Sequence, residues 1–286
     1  MPLDYVVTYR AENHYDTLVN RAVWQFLIIP EDNDSQELVS VDFENSLGVP
    51  VQHSVNGLGF TTLQLHPNVP FSDVRFRATF KVMKQEVNPF DFIPLEDPSG
   101  GYRQIESLEL KAQFEPFLRV TPYTRLPDDR QELYIFDREI SVFDNLLALN
   151  QWVYRHLFFQ SGITHIDTTL KEVIESRQGV CQDFTHLFCG LARRNQIPVR
   201  YVSGYLHQGN GYFGDSQMHA WAEAYVPGVG WIGFDPTNDI LAGSNHIKVA
   251  HGKDYGDCSP LKGVIFAPGN NRTSHSVEVT AQQAQQ

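Results

Sequence analysis

The chain has 286 residues, 42% hydrophobic and 20% charged, with 34 acidic side chains against 22 basic ones and a net charge of −12. That length supports one large or two ordinary domains, and the acidic balance argues against nucleic acid or an anionic membrane as main partner, since either favours a basic face. No stretch approaches the roughly 20 apolar residues of a membrane span, and three cysteines, an odd number, do not make a disulfide framework.

Met1-Pro2-Leu3-Asp4-Tyr5 shows no basic region followed by an apolar core, so no secretory signal is read there and a cytoplasmic location is expected. Up to residue 115 the chain reads as strands and turns. Val74, Phe76, Ala78, Phe80 and Val82 alternate with Arg75, Arg77, Thr79 and Lys81, the period of a half-buried strand. Leu108, Leu110, Ala112 and Phe114 alternate likewise with Glu109, Lys111 and Gln113. Shorter strands are expected at about Tyr5–Tyr9, Ala22–Ile29, Leu38–Phe43 and Phe60–Leu65. Several short strands separated by Asn, Gly and Pro predict a β-sandwich. The acidic run Pro30-Glu31-Asp32-Asn33-Asp34-Ser35 lacks the glycine and distal glutamate of a calcium loop, so it reads as a solvated turn.

Residues 116–140 are irregular and proline-rich, as a linker would be, and helical spacing begins after them. Leu146, Leu149, Val153 and Leu157 share a face, with Asp144 as a cap. Thr169 and Glu172 have the capping-box spacing for a short helix over Leu170, Val173 and Ile174. In Gly179-Val180-Cys181-Gln182-Asp183-Phe184, the apolar pattern Phe184, Leu187, Phe188, Leu191, Ala192 places Cys181 in a first helical turn. Free N–H groups and the helix dipole there favour an anion. A thiol so placed is either a nucleophile or a small buried packing residue. Strands follow at about Val199–Leu206, Ala220–Val226, Trp231–Phe234, Val264–Phe266 and Ser276–Thr280. The turn Pro227-Gly228-Val229-Gly230 pairs two of them as a hairpin, so His219 at one strand's start and Asp235 at the other's end can touch. A cysteine, an imidazole and a carboxylate so arranged form a nucleophile, base and orienter.

Four blocks now carry a resemblance: Ser176-Arg177-Gln178-Gly179-Val180-Cys181-Gln182-Asp183-Phe184, Ile197-Pro198-Val199-Arg200-Tyr201-Val202-Ser203-Gly204-Tyr205, His219-Ala220-Trp221-Ala222-Glu223 and Gly233-Phe234-Asp235-Pro236-Thr237. In this order they resemble the transglutaminase core, and more narrowly the bacterial transglutaminase-like cysteine proteases. His251-Gly252-Lys253-Asp254-Tyr255 with Asp257, Pro260 and Gly263 is similar to that bacterial branch as well. The resemblance covers roughly residues 145 to 265. It implies a papain-like fold with Cys181 as nucleophile, His219 as general base and acid, and Asp235 as the orienting carboxylate.

Helices first and strands after give an α+β architecture. The expected organisation is an N-terminal β domain at 1–115, a linker at 116–140, a transglutaminase-like core at 141–281 and a frayed tail at 282–286. Cys189 reads as packing, and Cys258 lies in an expected loop that could be exposed but supplies no base. Cys181 with His186, or His246, His251 and Cys258 together, lack the paired spacing of a zinc site, so no metal and no cofactor is expected. Asp183, two residues from the thiol, is expected to face away and cap or pair elsewhere. His186 and Tyr205 read as core packing, and Gln178 and Gln182 are candidates for a second oxyanion donor.

The expected chemistry is acyl transfer through a thioester on a peptide or protein substrate. Water as acceptor makes a cysteine peptidase or amidase, and the bacterial resemblance favours this. A lysine amine as acceptor makes a transglutaminase. A binding protein on the same fold is the alternative of another class.

Overall fold

In the computed structural model, which describes residues 2–93, 95, 97–165, 167–207, 212, 213 and 216–282, the alternating patterns near the N-terminus become six strands. They are β1 (Leu3–Val19), β2 (Arg21–Phe26), β3 (Gln36–Asn45), β4 (Val51–Val55), β5 (Thr61–Leu65) and β6 (Phe71–Lys84). β4 has no counterpart among the expected strands, because its largely exposed residues carry no apolar alternation. Helices α1 (Pro98–Glu106), α2 (Leu108–Gln113), α3 (Glu115–Leu118) and α4 (Val142–His156) follow. The chain then runs through β7 (Phe158–Phe159), α5 (Leu170–Ser176), β8 (Gln178–Gly179) and α6 (Cys181–Arg194). It ends in β9 (Val199–Leu206), β10 (His219–Val226), β11 (Gly230–Asp235), β12 (Ile240–Leu241), β13 (His246–Gly252), α7 (Tyr255–Cys258), β14 (Leu261–Phe266) and β15 (Asn271–Gln282).

One expected strand is a helix. Leu108, Leu110 and Ala112 lie on α2, with Ser107 Oγ accepting from the Leu110 N–H at 3.3 Å as its cap. The run Leu-Glu-Leu-Lys-Ala-Gln is made of good helix formers, and only Leu110 is buried while Leu108 is 85% exposed. Local propensity and a serine cap thus prevail over a short alternation.

Two antiparallel four-stranded sheets, ordered β15-β1-β6-β3 and β14-β2-β5-β4, form the β-sandwich. Their inner faces meet through aromatic rings: Phe76 lies 5.1 Å from Trp24 and 4.8 Å from Phe26, centroid to centroid. The division at residue 115 and the core ending at 281 therefore need correction. β14 pairs with β2, and β15 pairs with β1 from Asp4↔Gln282 to Tyr15↔Asn271, so both ends of the chain build the sandwich. Alternation marks a strand but not its partner, and a 17-residue β1 offers a second edge along its length. Residues 116–140 are packed as well. Thr121, Thr124, Leu126 and Phe136 are buried, and Arg193 of α6 donates to Phe117 O at 3.1 Å and Thr124 Oγ1 at 2.9 Å. The expected tail begins at 282, the last residue of β15, and 283–286 lie outside the described residues.

The second layer pair is a five-stranded antiparallel sheet, β12-β11-β10-β9-β13, with α6 laid across it. Ala220, Ala222 and Ala224 share one buried face of β10 and let the helix approach. Phe188 of α6 stacks on Phe234 of β11 at 5.5 Å. The sandwich and this sheet are joined by polar contacts: Tyr205 Oη donates to Ile28 O at 2.6 Å, and Gln36 Nε2 to Lys248 O at 2.7 Å. Among the described residues no helix is long and apolar enough to cross a membrane.

Candidate active site

The start of α6 is fixed by its own sequence. Arg177 ends α5 in the left-handed region at φ 55°, and β8 then pairs in parallel with β7. Val180 is the cap residue, and Asp183 folds back so that its Oδ2 accepts from the Val180 N–H at 2.8 Å and from Thr164 Oγ1 at 2.8 Å. A Cβ at Gly179 would stand 2.6 Å from the Asp183 Cβ, so only glycine fits beneath this cap. The carboxylate two residues from Cys181 is thus engaged with the helix entrance, and burial raises its pKa. The first N–H groups of a helix have no intrahelical acceptor. Cys181 and Gln182 are the first two residues of α6, and both line the cavity.

Cys181 is partly exposed, whereas Cys189 and Cys258 are each 0% exposed. Cys258 is therefore not in an open loop; it closes α7, with Sγ 3.8 Å from Tyr201 O. Burial pushes the Cys189 thiol up to about 12 and the Cys258 thiol well above its ordinary value.

His219 opens β10, and Asp235 closes β11. The register Ala222↔Phe234 continues to set Asp235 across from Trp221, on the strand face that also carries His219. His219 Nε2 lies 2.8 Å from Asp235 Oδ2, with both side chains 0% exposed. His219 Nδ1 has no conventional hydrogen-bond partner among the described residues. It is the nitrogen left for Cys181, which lines the same cavity. Burial alone would lower the pKa of His219, but the Asp235 carboxylate and then the neighbouring Cys181 sulfur outweigh it and raise the value to about 10. Asp235 is driven the other way: burial opposes its charge, yet the two imidazoles beside it hold the carboxyl far below the usual range. It also accepts from the Thr237 N–H at 3.0 Å and from Asn238 Nδ2 at 2.8 Å.

The second imidazole belongs to His246, whose contact with Asp235 sequence reasoning missed. Its Nε2 lies 3.2 Å from Asp235 Oδ2, and its Nδ1 accepts from the Gly243 N–H at 3.3 Å. An accepting Nδ1 makes Nε2 the donor of a neutral ring, and burial lowers the pKa of His246 accordingly. His246 had a place only in a metal set with His251 and Cys258. His251 instead meets Arg200 Nη1 at 3.3 Å. Ligand-capable atoms of His219, Asp235 and His246 do come within 4.8 Å of one another. In this structure they form a hydrogen-bonded trio converging on one carboxylate oxygen. No spacing in sequence could have found this, since His246 lies on a strand two positions away across the sheet.

The remaining candidates separate. Gln182 lines the cavity with Cys181, whereas Gln178 sits exposed in β8. His186 is buried, stacks on Tyr123 at 5.1 Å and accepts from the Tyr255 N–H at 3.2 Å, and its pKa falls to about 3 through burial and then Arg193. Tyr205 is spent on Ile28. Tyr201, not singled out before, also lines the cavity. Its ring rests 5.0 Å from that of His186. Burial and then the Cys181 sulfur raise its pKa, so the hydroxyl keeps its proton beside that sulfur.

Residues 135–236 match the Transglutaminase-like superfamily model. An uncharacterized protein of Mycobacterium tuberculosis is 38% identical over 128 residues, 42% of this chain and 41% of that protein. One of Mycobacterium leprae is 31% identical over 186 residues, 63% of this chain and 65% of the relative. The match therefore spans about 41% of the first relative's length and just under two thirds of the second's. Among solved structures, a candidate cysteine protease from Cytophaga hutchinsonii superposes with a TM-score of 0.77 at 21% identity, covering 100% of this chain and 92% of that one. That likeness establishes the fold, and the family match marks a transglutaminase-like core at residues 135–236.

Proposed function

We propose that this chain is a cysteine-dependent acyl-transfer enzyme acting on peptide or amide bonds, with water as its usual acceptor. The supporting observation is one residue's surroundings. His219 gives one ring nitrogen to Asp235 and keeps the other for Cys181, the first residue of a helix.

In this reading Cys181 Sγ attacks the amide carbonyl, a C–S bond forms and the carbonyl oxygen becomes an oxyanion. The Cys181 N–H and the Tyr201 hydroxyl donate to that oxygen. His219, kept protonated by Asp235, gives its proton to the departing nitrogen as the C–N bond breaks. The thioester remains; His219, now neutral, takes a proton from the attacking water as the C–O bond forms, and the C–S bond then breaks to release the acid and return Cys181 as a thiolate beside the imidazolium. Asp235 holds the ring in the tautomer that both steps require, while Thr237, Asn238 and His246 hold Asp235.

Water is favoured over an amine because a cavity of about 910 Å³ opens on Cys181 and leaves room for solvent around an acyl group. A cross-linking enzyme has to keep water from its thioester. The description of the Cytophaga hutchinsonii protein as a candidate cysteine protease agrees. The test is incubation with an amide-bearing peptide library, with and without excess fluorescent primary amine. Hydrolysis unchanged by the amine supports the reading. Efficient amine incorporation at modest concentration would make this a transglutaminase, and no turnover at all would favour a binding protein on the same fold.

A further inference from the structure

The cavity that exposes Cys181 and His219 is not built by the catalytic core alone. Tyr9 of β1 and Thr273 and His275 of β15 line the same space, so the sandwich supplies its far wall. β15 is tied to the segment before His219 by the Val277 N–H, which donates to Ser216 O at 2.8 Å. The return of the chain's last strand to the sandwich thus brings sandwich residues into the cavity that holds the nucleophile.

The chemistry of this surface is selective. A fifth of the chain's residues are charged, so a wall of twenty residues of average composition would carry about four of them. Among the described residues lining the cavity there is no Asp, Glu, Lys or Arg. The walls are aromatic (Tyr9, Phe159, Tyr201, Phe213), aliphatic (Val180, Met218, Leu261) or polar, and their ionisable side chains besides tyrosines are Cys181, His219 and His275. Apart from the catalytic His219 and Cys181, which are engaged with each other and Asp235, a charged side chain brought into such a cleft loses water and meets no carboxylate, ammonium or guanidinium in return. Aromatic faces recover only part of that loss for a cation and none for an anion.

We infer that the cleft accepts an uncharged peptide segment around the reactive amide, held between the core and the sandwich. This rests on the acyl-transfer reading above and names its substrate class. The test compares kcat/KM for peptides differing at one residue beside the reactive amide, Gln against Glu and norleucine against Lys. The Glu and Lys peptides should each be at least about 10-fold poorer than their neutral counterparts. His275→Glu, which places a carboxylate on the sandwich wall, should shrink the lysine penalty at least about 3-fold. Burst acylation of Cys181 by a small uncharged activated ester keeps the two readings apart. No acylation would sink the acyl-transfer assignment itself. Acylation with charged and neutral peptides turned over equally would overturn the substrate class alone, and a lysine penalty unmoved by His275→Glu would remove the sandwich from the site.

Discussion

The sandwich and the core sheet bury different things. Inside the sandwich lie Trp24, Phe26, Phe71, Phe76 and Phe80, with Lys84, 5% exposed, as its one buried charged side chain among the described residues. The core buries Asp183, Arg193, His219, Asp235, His246, Lys248 and Asp254. Apolar burial stabilises without conditions. Buried ionisable groups cost stability unless each finds its partner, and here the partners are specific, down to four donors on the Asp235 carboxylate. The difference separates the part of the molecule that holds shape from the part that spends stability on chemistry.

That contrast can be broken from either side. The largest effect on turnover is expected from Cys181→Ala or His219→Ala, each removing about 10³-fold or more. Cys181→Ala should leave the denaturation midpoint near that of the wild type, since the thiol is a cavity residue. The largest effect on stability is expected from Phe76→Ala, which removes a ring 2% exposed between the sheets. It should cost about 3–5 kcal/mol by chemical denaturation.

Asp235→Asn comes next and sharpens the comparison, because it keeps the volume and removes the charge. Turnover should fall at least about 10-fold. The pH profile should change in a definite direction. The attraction between Asp235 and His219 is fully present below the ordinary histidine value of 6.5 and is lost as pH rises through about 10. The wild-type rate should therefore fall on an alkaline limb near pH 10. In Asp235→Asn burial still opposes the imidazolium with only the Cys181 sulfur left to offset it, so that limb should move down by about one unit or more. An unmoved limb would make Asp235 a structural residue that ends β11.

The smallest of these effects belongs to Tyr201→Phe, which deletes one hydroxyl and keeps the ring against His186. A drop of about 10-fold to 100-fold in kcat is expected if that hydroxyl holds the oxyanion, with stability nearly unchanged. A wild-type rate would leave the Cys181 N–H with Gln182 as the remaining candidate on this cavity.

What could be read from the chain follows the range of the interactions concerned. Cys181 at a helix start, and His219 and Asp235 at the ends of one hairpin, are local facts that periodicity and a Pro/Gly turn reveal. Asp183's cap was legible in part, because residues two apart on a helix diverge, but its fit over Gly179 needed coordinates. His246 and Tyr201 reach the site through sheet neighbours far away in sequence, and β14 and β15 find their sheets across more than 200 residues. A period-two pattern is silent on such partners. The misread stretch 108–114 failed for the opposite reason, since a short alternation carries less weight than a serine cap and good helix formers.

In the proposed reaction Cys181 is the activated nucleophile and His219 the group beside it. Peptide mapping after brief iodoacetamide treatment across mildly acidic to neutral pH tests it most directly. Cys181 should carry nearly all the label, because Cys189 and Cys258 are fully buried with raised thiol pKa values, and His219→Ala should slow its labelling at the acidic end. Equal labelling of the three cysteines, dominant labelling of Cys258, or a Cys181 rate indifferent to His219→Ala would contradict the account.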